Sequence, residues 1–215
     1  MSTAVTLEYM GKIAIVTIDN QKKVNALTQE HGADVSSTGV SASPSRSADT
    51  NQHWLKNFVA YNLNITQAFY THPEILVTAL NGPAIGISAA LIAFSDFIFC
   101  VPSAFLLTPF SSLGLVAEGG ASRAFVQRLG ISKANEALIM RNVLTQRIYC
   151  RLNLARTRNF VLYMMKIKAL IRKLEIGAMD AQGVGEVFAG LERFQAGIPQ
   201  KEFAKIASGV KRHKL

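Results

Sequence analysis

Two short β-prone runs, 5–10 and 13–18, flank Gly11-Lys12 and predict a β-hairpin. Residues 20–25 are polar and turn-like. Residues 36–52 are rich in Ser, Thr, Ala and Gly around Pro44 and predict a loop. Trp54, Phe58, Tyr61, Ile65 and Phe69 then recur at three- and four-residue spacing, which predicts one apolar stripe on a helix. Pro73 ends it, because the residue before a proline is pushed out of the helical region. The continuous apolar run 75–80 predicts a strand buried on both faces. Asn81-Gly82-Pro83 turns the chain, 87–94 suits a tightly packed helix, and 97–101 predicts a second buried strand. A glycine-rich loop at 113–120 leads into predicted helices at 121–129 and 133–140. Beyond these lie a basic segment, a glycine-spaced stretch and a last helix near 201–210. Strands alternating with helices place the chain in the α/β class. No internal repeat is visible.

Composition narrows this picture. A chain of 215 residues, 49% hydrophobic, can bury the core of one domain, or of one domain with a helical extension. Charged residues are only 17%, which argues against wholesale disorder. The net charge of +9 is unevenly spread. Residues 1–140 carry 8 Lys/Arg against 9 Asp/Glu, while 141–215 carry 15 against 5. Nine basic residues and no acidic one fall between Arg141 and Leu174. Such a block reads first as a solvated helix face, and otherwise as an anion-attracting surface. No aromatic-interleaved motif accompanies it, so nucleic acid is not an expected partner. The longest clean apolar run, 84–94, is too short to span a bilayer, so no membrane partner is expected either. No basic start followed by an apolar stretch marks a secretory signal. Cys100 and Cys150 show no metal-ligand spacing, and Cys100 reads as a small core residue of a soluble protein from a reducing compartment.

The candidate chemistry lies in three local features: Gly32-Ala33-Asp34; Asn81-Gly82-Pro83-Ala84-Ile85-Gly86-Ile87-Ser88-Ala89-Ala90, ending at Asp96; and Leu113-Gly114-Leu115-Val116-Ala117-Glu118-Gly119-Gly120. The second reads as strand, glycine turn and helix start. Glycine lets a ligand approach the backbone, and a helix start presents unpaired N–H groups. Together these suit an oxyanion, although glycine turns between strand and helix are common without any function. Glu118 is the one acid between Asp96 and Glu136. Among apolar and glycine neighbours its carboxyl either is desolvated and suited to proton transfer or sits exposed on a loop.

In order and spacing these features resemble the enoyl-CoA hydratase/isomerase (crotonase) superfamily, nearest its peroxisomal Δ3,Δ2-enoyl-CoA isomerase branch. The resemblance is strong over 54–144, fair over the hairpin and Val24-Asn25-Ala26-Leu27, and patchy afterwards. It implies a ββα spiral core over 1–144 holding an acyl-CoA site, followed by a basic, mostly helical region over 145–215. It implies that the backbone N–H groups of Ala33 and Ile87 hold the thioester oxygen. Glu118 would move a proton from C2 to C4, and Gly32, Asp34, Gly86 and Phe110 would line the substrate. No separate cofactor or metal is implied, since CoA is part of the substrate. The two glutamates of hydratases fall on Ala90 and Phe110, which disfavours hydration. The branch implies a homo-oligomer, trimer or hexamer. His213-Lys214-Leu215 resembles a peroxisomal address read by the import receptor.

The chain also departs from the family. Only Thr28-Gln29-Glu30-His31 separate Leu27 from Gly32, where relatives place a helix and a core strand. One helical turn already takes about 3.6 residues. Residues 146–165 likewise depart from the usual connection. The fold is therefore expected to be a shortened one, and a catalytically impaired acyl-CoA-binding subunit stands as the alternative to an active isomerase.

Overall fold

The computed structural model describes residues 5–19, 50–149 and 161–211. Strands β1 (Val5–Met10) and β2 (Ile13–Ile18) form the predicted hairpin, in register from Val5 opposite Ile18 to Met10 opposite Ile13. Gly11 makes the tight turn at φ 61°, a conformation that costs glycine little. Both faces of this hairpin are largely exposed.

Residues 50–70 are helical in three parts: α1 (Thr50–Trp54), a π turn (Leu55–Ala60) and α2 (Tyr61–Tyr70). A π turn closes i→i+5 bonds and holds more residues per turn than an α-helix. The inward positions therefore become Trp54, Phe58, Asn62, Thr66 and Tyr70. This corrects the predicted stripe: Tyr61 turns outward, and Asn62 takes the inner position.

Two small sheets follow. β3 (Val77–Leu80) pairs in parallel with β5 (Phe97–Cys100). β4 (Ala84–Ile85) pairs in parallel with β6 (Phe105–Leu107), which pairs antiparallel with β7 (Leu144–Thr145). Among the described residues β3 has one neighbouring strand, and Val77 is half exposed, so it is not buried on both faces as its apolar run predicted. Cys100, expected as a core thiol, is instead disulfide-bonded; whether a thiol meets another is settled by packing, which residue pattern does not show.

Helix α3 (Ile87–Ile92) divides the core. Ala89 packs into one apolar cluster with Ile87, Phe94, Leu106 and Phe125, and Ala90 into another with Trp54, Phe58, Phe110 and Leu113. Phe194 closes the second, its ring stacked on Trp54 at 4.6 Å. Side chains of this size each contribute about 1.5–3 kcal/mol on full burial.

Helices α4 (Ala121–Leu129), α5 (Ile131–Leu138) and α6 (Gln146–Tyr149) complete the first region, and α7 (Val161–Lys173), α8 (Ile176–Gln195) and α9 (Ile198–Ala207) follow. The basic segment is more than a solvated face. Lys168 is buried, with Nζ 2.7 Å from Asp96 Oδ2, and Arg172 donates to Phe94 O at 2.7 Å and to Asp96 Oδ1 at 3.3 Å. Asp96 also accepts the Leu76 N–H at 2.8 Å, so it ties α7 to β3. With Lys168 and Arg172 turned inward, α7 presents Ile167, Leu170 and Ile171 to solvent, and Leu174 just past its end is exposed as well. The glycine-spaced stretch proves to be α8, whose buried face runs through Met179, Gly183, Glu186, Val187, Gly190, Leu191 and Phe194. Among the described residues no helix is long and apolar enough to cross a membrane.

Candidate active site

The site is built at the start of α3. Gly86 takes φ 70° and ψ −135° and donates its N–H to Leu107 O at 2.8 Å, which extends the β4–β6 pairing. As the residue before the helix it has no side chain to cap with, and the first closing bond is Ala90 N–H to Gly86 O at 3.2 Å. The N–H groups of Ile87, Ser88 and Ala89 therefore have no intrahelical acceptor. They carry the positive end of the helix dipole, which favours an anion.

Against this helix start lies the turn bearing Glu118. Gly119 and Gly120 are both left-handed, at φ 68° and 70°. A Cβ on Gly119 would sit 3.0 Å from Ile87 Cγ1 and 3.1 Å from Ala90 Cβ, and one on Gly120 would sit 2.7 Å from Phe94 Cζ. Backbone angle and space thus both demand glycine at each position. The turn buries Glu118 to 3% exposure, which rules out the exposed-loop reading. Glu118 Oε2 accepts one hydrogen bond, from Asn62 Nδ2 at 3.3 Å, and Oε1 is buried without a partner among the described residues. Burial, and then the neighbouring carboxylate of Glu186, push the Glu118 carboxyl up to about 8.

Asn62 and Glu186 hold this arrangement. Asn62 Oδ1 accepts the Gly119 N–H at 3.3 Å and the Thr66 hydroxyl at 3.4 Å, so one amide fixes both the carboxyl and the turn behind it. Glu186 reaches in from α8. Its Oε2 accepts the Gly120 N–H at 2.7 Å, and its Oε1 accepts the Ser122 N–H at 2.8 Å and hydroxyl at 2.5 Å. Sequence reasoning missed both residues. A π turn leaves no plain trace in residue pattern, and Glu186 lies in a glycine-spaced stretch whose helix the local pattern does not announce.

Gly119, next in the chain to Glu118, lies against Ile87, so the Glu118 turn and the Gly86-Ile87 helix start are neighbours. Phe110 opens a 3-10 turn (Phe110–Leu113) and is buried in the second core cluster beside Ala90. Both positions that would carry hydratase carboxylates are thus apolar and sealed. Gly32, Ala33 and Asp34, with the shortened segment before them, lie outside the described residues, as does His213-Lys214-Leu215. Among the described residues no group of three or more His, Cys, Asp or Glu is placed to hold a metal. A separate open cleft of about 640 Å³ carries Arg141, Arg193 and Lys211 with Glu202, and no residue of the Glu118 arrangement lines it.

Comparison with known proteins places these motifs. The family described as enoyl-CoA hydratase/isomerase matches residues 47–147. A Δ(3,5)-Δ(2,4)-dienoyl-CoA isomerase of Pyricularia oryzae is 45% identical over 100% of both chains. That alignment runs over 282 positions, more than the 215 residues of this chain, so internal stretches of the relative have no counterpart here. A 3,2-trans-enoyl-CoA isomerase of Saccharomyces cerevisiae is 28% identical over 96% of this chain and 86% of its own. Among solved structures, an enoyl-CoA hydratase/isomerase from Pseudoalteromonas atlantica superposes with a TM-score of 0.75 at 18% identity, covering 99% of this chain and 100% of that one. An enoyl-CoA hydratase from Bacillus halodurans gives 0.74 at 17%, covering 94% and 99%. At such identities the structural matches speak for the fold alone.

Proposed function

Because the chain belongs to the enoyl-CoA hydratase/isomerase family, we propose that it is a Δ3,Δ2-enoyl-CoA isomerase of fatty-acid oxidation, with Glu118 as its one proton carrier. The observation that carries this reading is a sealed carboxyl with one oxygen unpartnered, beside a helix start with open N–H groups. Ionised Glu118 removes a proton from C2 of a 3-enoyl-CoA, and the C–H electron pair moves toward C1. The thioester oxygen becomes an enolate, held by the N–H of Ile87 and, by family resemblance, of Ala33. Collapse of the enolate forms the C2=C3 bond, the C3=C4 pair takes the proton back from Glu118 at C4, and the carboxylate is regenerated. The raised proton affinity of Glu118 suits a group that must both take and return a proton. One oxyanion donor is typically worth roughly 3–4 kcal/mol. No cofactor enters, since CoA is part of the substrate. Addition of water is disfavoured by the apolar Ala90 and Phe110.

A second reading rests on the 45% identical relative, named as a dienoyl-CoA isomerase. Shifting a 3,5-diene to a 2,4-diene returns the proton at C6, four bonds from C2 rather than two. One carboxylate serves the shorter transfer more directly. The test is turnover of a 3-enoyl-CoA and a 3,5-dienoyl-CoA by the purified chain and by Glu118→Gln. We expect the monoene to be the better substrate, and the variant to lose about 10²- to 10⁴-fold in kcat at nearly unchanged KM. Preference for the diene would favour the second reading. No turnover of either, beside an active relative, would leave an impaired acyl-CoA-binding subunit. Variant activity equal to the parent's would remove Glu118 from the mechanism.

The same reading places the protein in peroxisomes, delivered by the import receptor through His213-Lys214-Leu215. An amino-terminal fluorescent fusion that remains peroxisomal after those three residues are deleted would refute that address.

A further inference from the structure

Two buried carboxyls stand at the ends of the Gly119-Gly120 pair, and the reaction uses one. Glu118 precedes the glycines. Glu186, on α8, binds their far end through Gly120 and Ser122. No cation among the described residues pairs with either. We infer that Glu186 is a positioning residue for the proton transfer: its carboxylate anchors the turn that carries Glu118, and it holds the fixed negative charge of the pair, so that Glu118 is the member that takes up and returns the proton. This rests on the isomerase reading for its consequence in turnover, though not for the arrangement itself.

The geometry divides the roles. Helix α4 begins after Gly120, which has no side chain to cap it, so its first N–H groups need an outside acceptor. Glu186 supplies that acceptor from α8, at the end of a helix where a negative charge is favoured. Its oxygens face two backbone N–H groups and one hydroxyl, and backbone N–H groups can only donate. An added proton on Glu186 would have to compete with these donors. Glu118 has a single long hydrogen bond and one empty oxygen, so a proton meets no competing donor there. When two carboxyls interact and their surroundings differ in this way, the better-solvated one stays ionised and the other titrates late. Burial raises the Glu186 carboxyl overall and its three donors only hold that rise back, whereas Glu118 is raised both by burial and by Glu186.

The other groups facing Glu186 do not alter this division. From α4, Ser122 is its donor, while Arg123 turns away to Glu175 at 2.5 Å. On α8, Gln182 reaches Ser122 Oγ at 2.7 Å. From α2, Tyr70 binds Asp180, nearer the start of α8. The π turn's Lys56 is exposed. His53 of α1 is bonded to Asn57. On α9, Glu202 pairs with Lys205 and Lys211.

The test combines a pH profile of kcat/KM with a carboxyl titration, by NMR on protein carrying ¹³C-labelled glutamate, in the parent, Glu186→Gln, Glu186→Asp and Glu118→Gln. Glu186→Gln removes the charge and keeps the shape. The Glu118 titration and the kcat/KM inflection should both fall by about 0.5–1 unit, a roughly three- to tenfold loss of proton affinity. Glu186→Asp keeps the charge but shortens its reach. It should leave the inflection near the parent's while kcat drops. A merely structural glutamate would lower the melting temperature in both variants and move neither titration, and that result overturns the inference. Should Glu186→Gln fail to fold, Glu118→Gln still decides, because it identifies which carboxyl of the pair titrates late. The signal it removes must be the late one, with Glu186 staying near its early position; a Glu186 that titrated late in the parent and falls in the variant refutes the division. The titrations need no turnover, so a chain inactive on both thioesters but showing these shifts would sink the isomerase reading and leave this one standing.

Discussion

Ionising Glu118 places a charge where the Asn62 amide is the sole hydrogen-bond donor among the described residues. Its folded proton affinity is raised from 4.5 to about 8, so between those values the folded state binds more protons than the unfolded one. Stability therefore falls as pH rises through this window and levels off above it. At about 1.4 kcal/mol per unit, the full effect is on the order of 5 kcal/mol. Glu118→Gln should accordingly melt higher than the parent at pH 9 and show little advantage at pH 5. A difference that stays constant across pH would contradict the buried charge. Activity runs the other way, because the base must be ionised: kcat/KM of the parent should climb with pH and level off above about 8. The residue is thus costly to the fold where it is useful to the chemistry, a common bargain at active sites.

At the scale of elements, the helix spanning 50–70 and α8 act as a pair. The π turn keeps Trp54, Phe58 and Asn62 on one face, and α8 meets that face through glycines. A Cβ on Gly190 would sit 2.7 Å from Phe58 Cζ, and Phe58 is fully buried and cannot move aside. Replacing a helical glycine by alanine gains up to about 1 kcal/mol in propensity. Overpacking costs about 1–3 kcal/mol. Gly190→Ala should therefore destabilise the protein in denaturant titration. Gly185→Ala, with nothing within 4 Å of its Cβ, should stabilise it. Equal effects at the two sites would mean that α8 does not press on Phe58. This helix was hidden in the sequence because glycine disfavours helices locally, and only contact with Phe58 explains Gly190. The loop, turn and helix at 113–129, by contrast, were legible, since their glycines and apolar spacing signal the same structure that packing enforces.

For the molecule as a whole, two cations of α7, Lys168 and Arg172, bind Asp96, while its Ile167, Leu170 and Ile171, and Leu174 just past its end, face solvent; the hairpin also exposes Leu7, Tyr9, Met10 and Val16. Large apolar side chains exposed close together on one element usually mark an interface. It supports the proposal of a homo-oligomer, trimer or hexamer. Sedimentation should find the parent associated, and Leu170→Lys with Leu174→Lys shifted toward monomer. A monomeric parent at micromolar concentration would refute the assembly.

The sequence by itself determined the hairpin, the strand–glycine–helix start at Gly86 and the turn before α4, because each depends on residues close together in the chain. It also carried the family, through motifs whose order and spacing are local. Tertiary structure decided that Glu118 is sealed rather than exposed, that Asn62 faces inward, and that Lys168 is buried on Asp96. It also decided that Glu186 closes the far side of the site. Each of these depends on which distant surfaces meet. Burial and the charges that share it are set by neighbours brought together from across the chain, and residue order alone does not show them.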